Sequence, residues 1–164
     1  MKKIFILMIL LSFAALSLFA QTAAEMDALL ETRAVSGGAA ARFVLEAAEL
    51  LPPGLSGAEA ESAAFDLAKS RGWLNGAAAD PVSLRDTAFL VMGAFDFGGG
   101  LMYTLFHNPR YAYREMVHRK LIQGRADPSM AVSGARLLHI IGRTLSWSGE
   151  DERLDAARAG GAAQ

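Results

Sequence analysis

The sequence predicts an all-α fold, built as a helical repeat array of about three units behind an N-terminal export signal. Three observations carry that prediction. Ala-rich segments fill the chain, while strand-like alternation of Val, Ile and Thr is nearly absent. Helix starts are marked by Ser or Asn, and the gaps between helices by Pro and Gly. Finally, two stretches follow one formula: "KSRGWLNGAAADPVSL" from Lys69 to Leu84 and "VHRKLIQGRADPSMAVS" from Val117 to Ser133. Each carries an Arg, an apolar pair, an amide residue, a Gly, an Ala, an Asp-Pro and a Val-Ser.

The first element is a leader. Lys2-Lys3 precede an unbroken apolar run from Ile4 to Phe19, the pattern of a secretory signal peptide over 1–20. Cleavage after Ala20 leaves Gln21 as the new N-terminus. An uncleaved membrane anchor is the alternative, and the run is shorter than the ~18–20 residues a spanning helix needs. No Cys follows it, so the N-terminus is not a lipid attachment site.

Beyond the leader, helices are expected at about 36–51, 57–71, 83–96, 109–120 and 133–147, with a short helix near 23–33 and a helical turn near 100–106. Ser56 with Glu59, and Ser83 with Asp86, have the capping-box spacing in which each side chain satisfies the other's backbone N–H. Asn108-Pro109 offers an N-cap and a Pro at the first helical position. Ser36 and Ser133 open two more helices. Pro52-Pro53-Gly54, Gly98-Gly99-Gly100 and Asp127-Pro128 punctuate the gaps. The triple Gly reads as a joint that lets "LMYTLF" tuck its Leu, Met, Tyr and Phe against the bundle. Residues 149–164 read as a polar, Ala/Gly-rich tail, partly disordered.

Val35-Ser36, Val82-Ser83 and Val132-Ser133 each open an apolar helix and lie 47 and 50 positions apart, a repeat period. Gly76 and Gly124 hold matching places, where a turn needs the positive φ that Gly adopts cheaply. Each unit is then helix, Gly turn, loop, helix, over about 22–51, 55–97 and 100–148 of a repeat domain spanning 21–148.

Charge and composition exclude some functions. The full chain carries a formal net charge of −1, and losing Lys2 and Lys3 makes it more negative, which argues against a nucleic-acid binder. With no Cys in the chain, an exported domain rests on its apolar core alone.

The repeated stretches "AFDLAKSRGWLNGAAADPVSLRDTAFLVMGAF" and "YAYREMVHRKLIQGRADPSMAVSGARLLHIIGRTL" resemble the S-layer homology (SLH) module: a helix, a G-apolar-apolar-x-G turn, a Pro-containing loop, and V/I-S/T-x-x-D/E-x-A opening a second helix. "AVSGGAAARFVLEAAELL" resembles the closing helix of a preceding unit, so the likeness covers most of Ala34 to Trp147. It implies an exported, helical, threefold protein that attaches to cell-wall polymers. The implied grooves lie between repeats and are lined by an Arg and an acid at the start of the second helix. Ser83, Asp86 and Ala88 fall on the motif's hydroxyl, acid and Ala, while Leu84 takes its Arg position and Arg85 follows. The third unit has Ser133, Gly134 and Arg136, and the first has Ser36, Gly37 and Gly38.

Candidate ligand-binding residues are Arg85, Arg110, Tyr113, Arg114 and Arg125. Arg110, Tyr113 and Arg114 share one helical turn in "HNPRYAYREMVHRK", and an Arg fork beside aromatic rings suits a carboxylate, a phosphate or a sugar face. Asp127 reads as a turn residue before Pro128. Trp73 is expected in the core, with a groove-lining position as the alternative. His107, His118 and His139 lack zinc-helix spacing, so no metal or cofactor is expected; His139, among Leu137, Leu138, Ile140 and Ile141, reads as a packing residue. No G-x-S-x-G turn or phosphate loop occurs. The expectation is a non-enzymatic envelope protein, periplasmic or at the cell surface. Its partner would be a wall polysaccharide or peptidoglycan, or else an envelope protein for which it is an adaptor. Membrane contact is expected only through the leader, if uncleaved.

Overall fold

The computed structural model describes residues 24–124 and 127–161. The leader and Arg125 lie outside the described residues. Seven helices occur among them: α1 over 24–31, α2 Gly37–Ala47, α3 Gly57–Ser70, α4 Leu84–Ala94, α5 Leu101–Phe106, α6 Pro109–His118 and α7 Gly134–Gly161. The only extended pairing among the described residues is two isolated bridges, Ser36 with Pro81 and Ser83 with Ala131. The chain is therefore all-α. Its last helix continues to Gly161, through the stretch expected as a tail.

Most caps form as their residue types dictate. Ser36 Oγ accepts from the Ala39 N–H at 3.2 Å, and Asn108 Oδ1 accepts from Arg110 and Tyr111 at 3.0 and 3.2 Å. Ser83 Oγ accepts from the Asp86 N–H and donates to its carboxylate. Ser56 departs from expectation: it occupies the N-cap of α3 but makes no side-chain cap bond. Its neighbour Gly57 opens the helix at φ 56°, outside the helical φ range that a capping box requires.

Helices α2, α3, α4 and α6 close alike. In each, one residue past the cap turns left-handed: Glu49, Gly72, Asp96 and Lys120, with φ between 49 and 72°. The next N–H then reaches back five residues to a helical carbonyl: Leu50 to Leu45, Trp73 to Ala68, Phe97 to Met92, Leu121 to Met116, all at 2.9–3.0 Å. This is the C-terminal closure that satisfies carbonyls the helix leaves unbonded. Gly76 and Gly124 follow at φ 89 and 81°, in the turn positions expected of them.

At the centre, the three Val-Ser pairs bond to one another in a closed cycle. The Val82 N–H donates to the Val35 carbonyl at 2.9 Å, Val132 to Val82 at 3.1 Å, and Val35 to Val132 at 2.8 Å. Helix starts extend the pattern. Gly37 and Gly38 donate to Asp80 and Ala78, while Leu84 and Arg85 donate to Met130 and Pro128. In both cases the acceptors lie two and four residues before the next Val. At the third junction Gly134 donates to Thr32 at 2.9 Å. The three Val side chains are buried, and α2, α4 and α7 meet beneath them. Helix α3 packs on α2, and α6 on α4. Ala40, Ala41, Val44, Leu84, Leu90, Val91, Met116 and Leu137 form the solvent-free core. Among the described residues one charged side chain is buried with them: Arg42 donates through Nε to Glu46 at 2.8 Å and through Nη2 to Glu25, tying α1 to α2. Burial alone would lower its pKa, but the two carboxylates outweigh that and hold the guanidinium above its ordinary value.

Helix α5 overturns the expectation drawn for "LMYTLF". Only Tyr103 is buried; Leu101 is 74% exposed, Leu105 64%, Phe106 56% and Met102 54%. Six residues make fewer than two turns, so a single inward residue exhausts the face the bundle covers.

Candidate functional site

Two clefts meet at Tyr103. The larger, about 360 Å³, opens between the end of α3, helix α4 and α5, and includes Arg71, Trp73, Phe89, Asp96, Tyr103 and His107 in its wall. Trp73 is there because the α3 closure turns the chain left-handed at Gly72 and lays the indole on Gly93. A Cβ at Gly93 would fall 2.3 Å from the ring nitrogen, so only Gly admits this contact. The Arg71 guanidinium lies 5.5 Å from the indole centroid, within cation–π range. Tyr103 meets Phe89 edge-on at 6.4 Å and His107 at 4.8 Å. Burial pushes the Tyr103 phenol above its ordinary pKa, and the Asp96 carboxylate adds to the shift. Asp96 and His107 both have positive φ, the uncommon region for non-Gly residues, each just past the end of a helix bordering the cleft.

The second cleft, about 310 Å³, lies between α5 and α6. Leu101, Met102 and Tyr103 face Tyr111, Arg114, Glu115 and His118 across it. Glu115 is engaged by Arg119, whose Nε donates to its carboxylate at 2.8 Å. Arg119 also donates to the Gly98 carbonyl and lies 4.5 Å from the Trp147 ring centroid, anchoring the glycine joint to α6 and α7.

The residues expected to bind ligand do not form one groove. Arg114 lines the α5–α6 cleft, and Arg110 is exposed one turn earlier on α6. Tyr113 is half-buried and looks the other way. It packs against the core and is absent from the α5–α6 cleft wall; burial pushes its phenol up, Arg136 opposes the shift and Asp127 adds to it. Arg85 is exposed next to Asp86 at 3.7 Å, its own N–H bonded to Pro128 in that loop. Arg125 lies outside the described residues. Asp127 makes the expected turn, accepting from the Ser129 N–H and hydroxyl at 2.9 and 2.7 Å. His139 is not a packing residue: it is exposed on α7 and accepts from Arg143 Nε at 3.2 Å.

Sequence reasoning placed Trp73 in the core, with the groove as the alternative, and did not single out Arg71, Asp96 or Tyr103. The one available signal was Gly93, a glycine inside an apolar helix opposite a Trp, which marks a close approach. Among the described residues, no group of three or more His, Asp or Glu is placed to hold a metal ion. Comparison with protein-family models, curated proteins and solved structures finds no match.

Proposed function

We propose that this chain is an exported, non-enzymatic protein of the cell envelope, built of three SLH-like units around the Val35–Val82–Val132 cycle, that binds a wall glycan in the cleft beside Trp73. The observation that supports this reading is the composition of that cleft. Two ring systems, Trp73 and Tyr103, border the same space as a guanidinium, a carboxylate and an imidazole. Sugar rings present C–H faces to aromatic groups and hydroxyls to charged acceptors and donors, so an apolar floor with a few polar groups is the matching surface. The cleft lies at the ends of α3 and α4, one helix length from the α4 start where the resemblance to SLH modules implies a groove, so the reading rests on its lining and not on that likeness.

Arg71 is exposed, and Asp96 needs only its left-handed backbone, which Asn tolerates. Arg71→Ala and Asp96→Asn should therefore fold normally and still weaken retention on purified wall material by about tenfold each, corresponding to ~1.4 kcal/mol. Co-sedimentation with that material measures the effect, and unchanged retention of both variants refutes the reading. An adaptor that docks on a protein assembly by its helix faces is the second reading, favoured by the exposed apolar residues of α5. It predicts co-purification with a protein and indifference to glycan.

A further inference from the structure

The exposed face of α5 has a chemistry of its own. Leu101, Met102, Leu105 and Phe106, each more than half exposed, project from one short helix. Single exposed apolar residues are ordinary, but four together on one six-residue element form a patch that calls for a partner. The patch is held in place rather than dangling: Phe106 stacks on Tyr111 of α6 at 5.5 Å, and Tyr103 is buried beneath it. Beside it runs a basic stripe. Arg110 and Arg114 lie one turn apart on α6, and His118 follows at the next turn. No described carboxylate forms an ion pair with Arg110 or Arg114. Residues 101–120 hold four Lys or Arg against the single acid Glu115, in a chain whose formal net charge is −1.

We infer that α5 and the Arg110–Arg114 stripe dock on an anionic lipid surface, the four apolar side chains entering the headgroup boundary and the two guanidinium groups meeting lipid phosphates. Apolar side chains rimmed by Arg are the pattern of a segment that lies in the membrane interface, and each cation near an anionic leaflet adds to the attraction. The α5–α6 cleft gives the same combination at close range, with Arg114 and His118 directly behind Leu101 and Met102. Charge complementarity favours lipid over a second copy of this chain, because a twofold contact would set the same Arg residues against each other. This inference is independent of the glycan reading, whose residues Arg71, Trp73 and Asp96 lie in the other cleft.

The chain has no Cys, so one labelled thiol reports on one place. Full-length Met102→Cys, carrying an environment-sensitive fluorophore, should shift its emission to the blue on phosphatidylglycerol vesicles and not on phosphatidylcholine vesicles. The same label at Ser62→Cys, exposed on α3, should not shift. Arg110→Glu with Arg114→Glu, in the Met102→Cys background, should weaken the phosphatidylglycerol response at least ~tenfold. Leu105→Asp, also at an exposed site, should weaken it too. The inference is overturned by no shift at position 102 on phosphatidylglycerol, or by an equal shift on phosphatidylcholine. It is equally overturned by an equal shift at position 62, by a response that survives the charge reversals, or by a shift that grows with protein concentration in the absence of lipid.

Discussion

A methyl group on Gly134 would lie 1.6 Å from the carbonyl oxygen of Leu29, a distance at which backbone, not a flexible side chain, must yield. Gly134→Ala should therefore pry α1 from the start of α7 and cost about 2–4 kcal/mol, read as a lower urea midpoint. Gly142, in the same helix, has nothing within 4 Å of its missing Cβ. Gly142→Ala should instead stabilise by roughly 0.5–1 kcal/mol, the ordinary helix-interior gain. Tyr103 carries a prediction in pH. Burial first, and the Asp96 carboxylate second, hold its phenol above the ordinary value of 10.0. A raised pKa means that the fold favours the neutral form. That contribution is complete below the unfolded value and is lost as pH climbs through the folded one. Stability should fall above about pH 10, and Tyr103→Phe should flatten the decline in denaturation midpoints measured across that range.

At the scale of elements, the hydrogen-bond cycle is the feature to test. Proline at Val82 or Val132 removes one N–H and strands a buried carbonyl, on Val35 or Val82, at a cost of about 1–3 kcal/mol. Because the bonds form one cycle, the double variant should cost less than the sum of the two, and denaturant titrations of the set measure that coupling. The helices also show what the sequence could reveal. The end of α3 is readable because Gly72 supplies the left-handed stop: the sequence predicts 71, and the helix ends at Ser70. Helices α2 and α4 end at Ala47 and Ala94, and α6 at His118, whereas 51, 96 and 120 were expected. Their stops are Glu49, Asp96 and Lys120, residues without a glycine's signature that are carried into positive φ by the closure around them. Helix α5 misled for another reason: its apolar composition does not say how much of its surface the bundle has room to cover.

For the molecule as a whole, the Val-Ser period was legible and the cleft was not. The similar spacings of Val35, Val82 and Val132, 47 and 50 positions, accompany a shared local role in the backbone pairing of the cycle. The larger cleft instead gathers Arg71 and Trp73 after α3, Asp96 after α4 and Tyr103 within α5, pieces with no common motif that only packing brings together. The basic residues of α6 stood out as a cluster in sequence, yet a helix turns successive side chains by about 100°, and so Tyr113 and Arg114 serve different faces.

The cycle also bears on how such a chain comes to be folded. Its final bond, from Val35 to Val132, joins residues 97 positions apart, and the start of α7 is bonded to Thr32 just before the first Val. A contact of that span forms only after a long loop has closed. A growing or threading chain that has not yet delivered Val132 leaves the Val35 N–H and the Val82 carbonyl waiting, however complete α2 and α3 are. The cycle can therefore close only once the segment carrying Val132 is present.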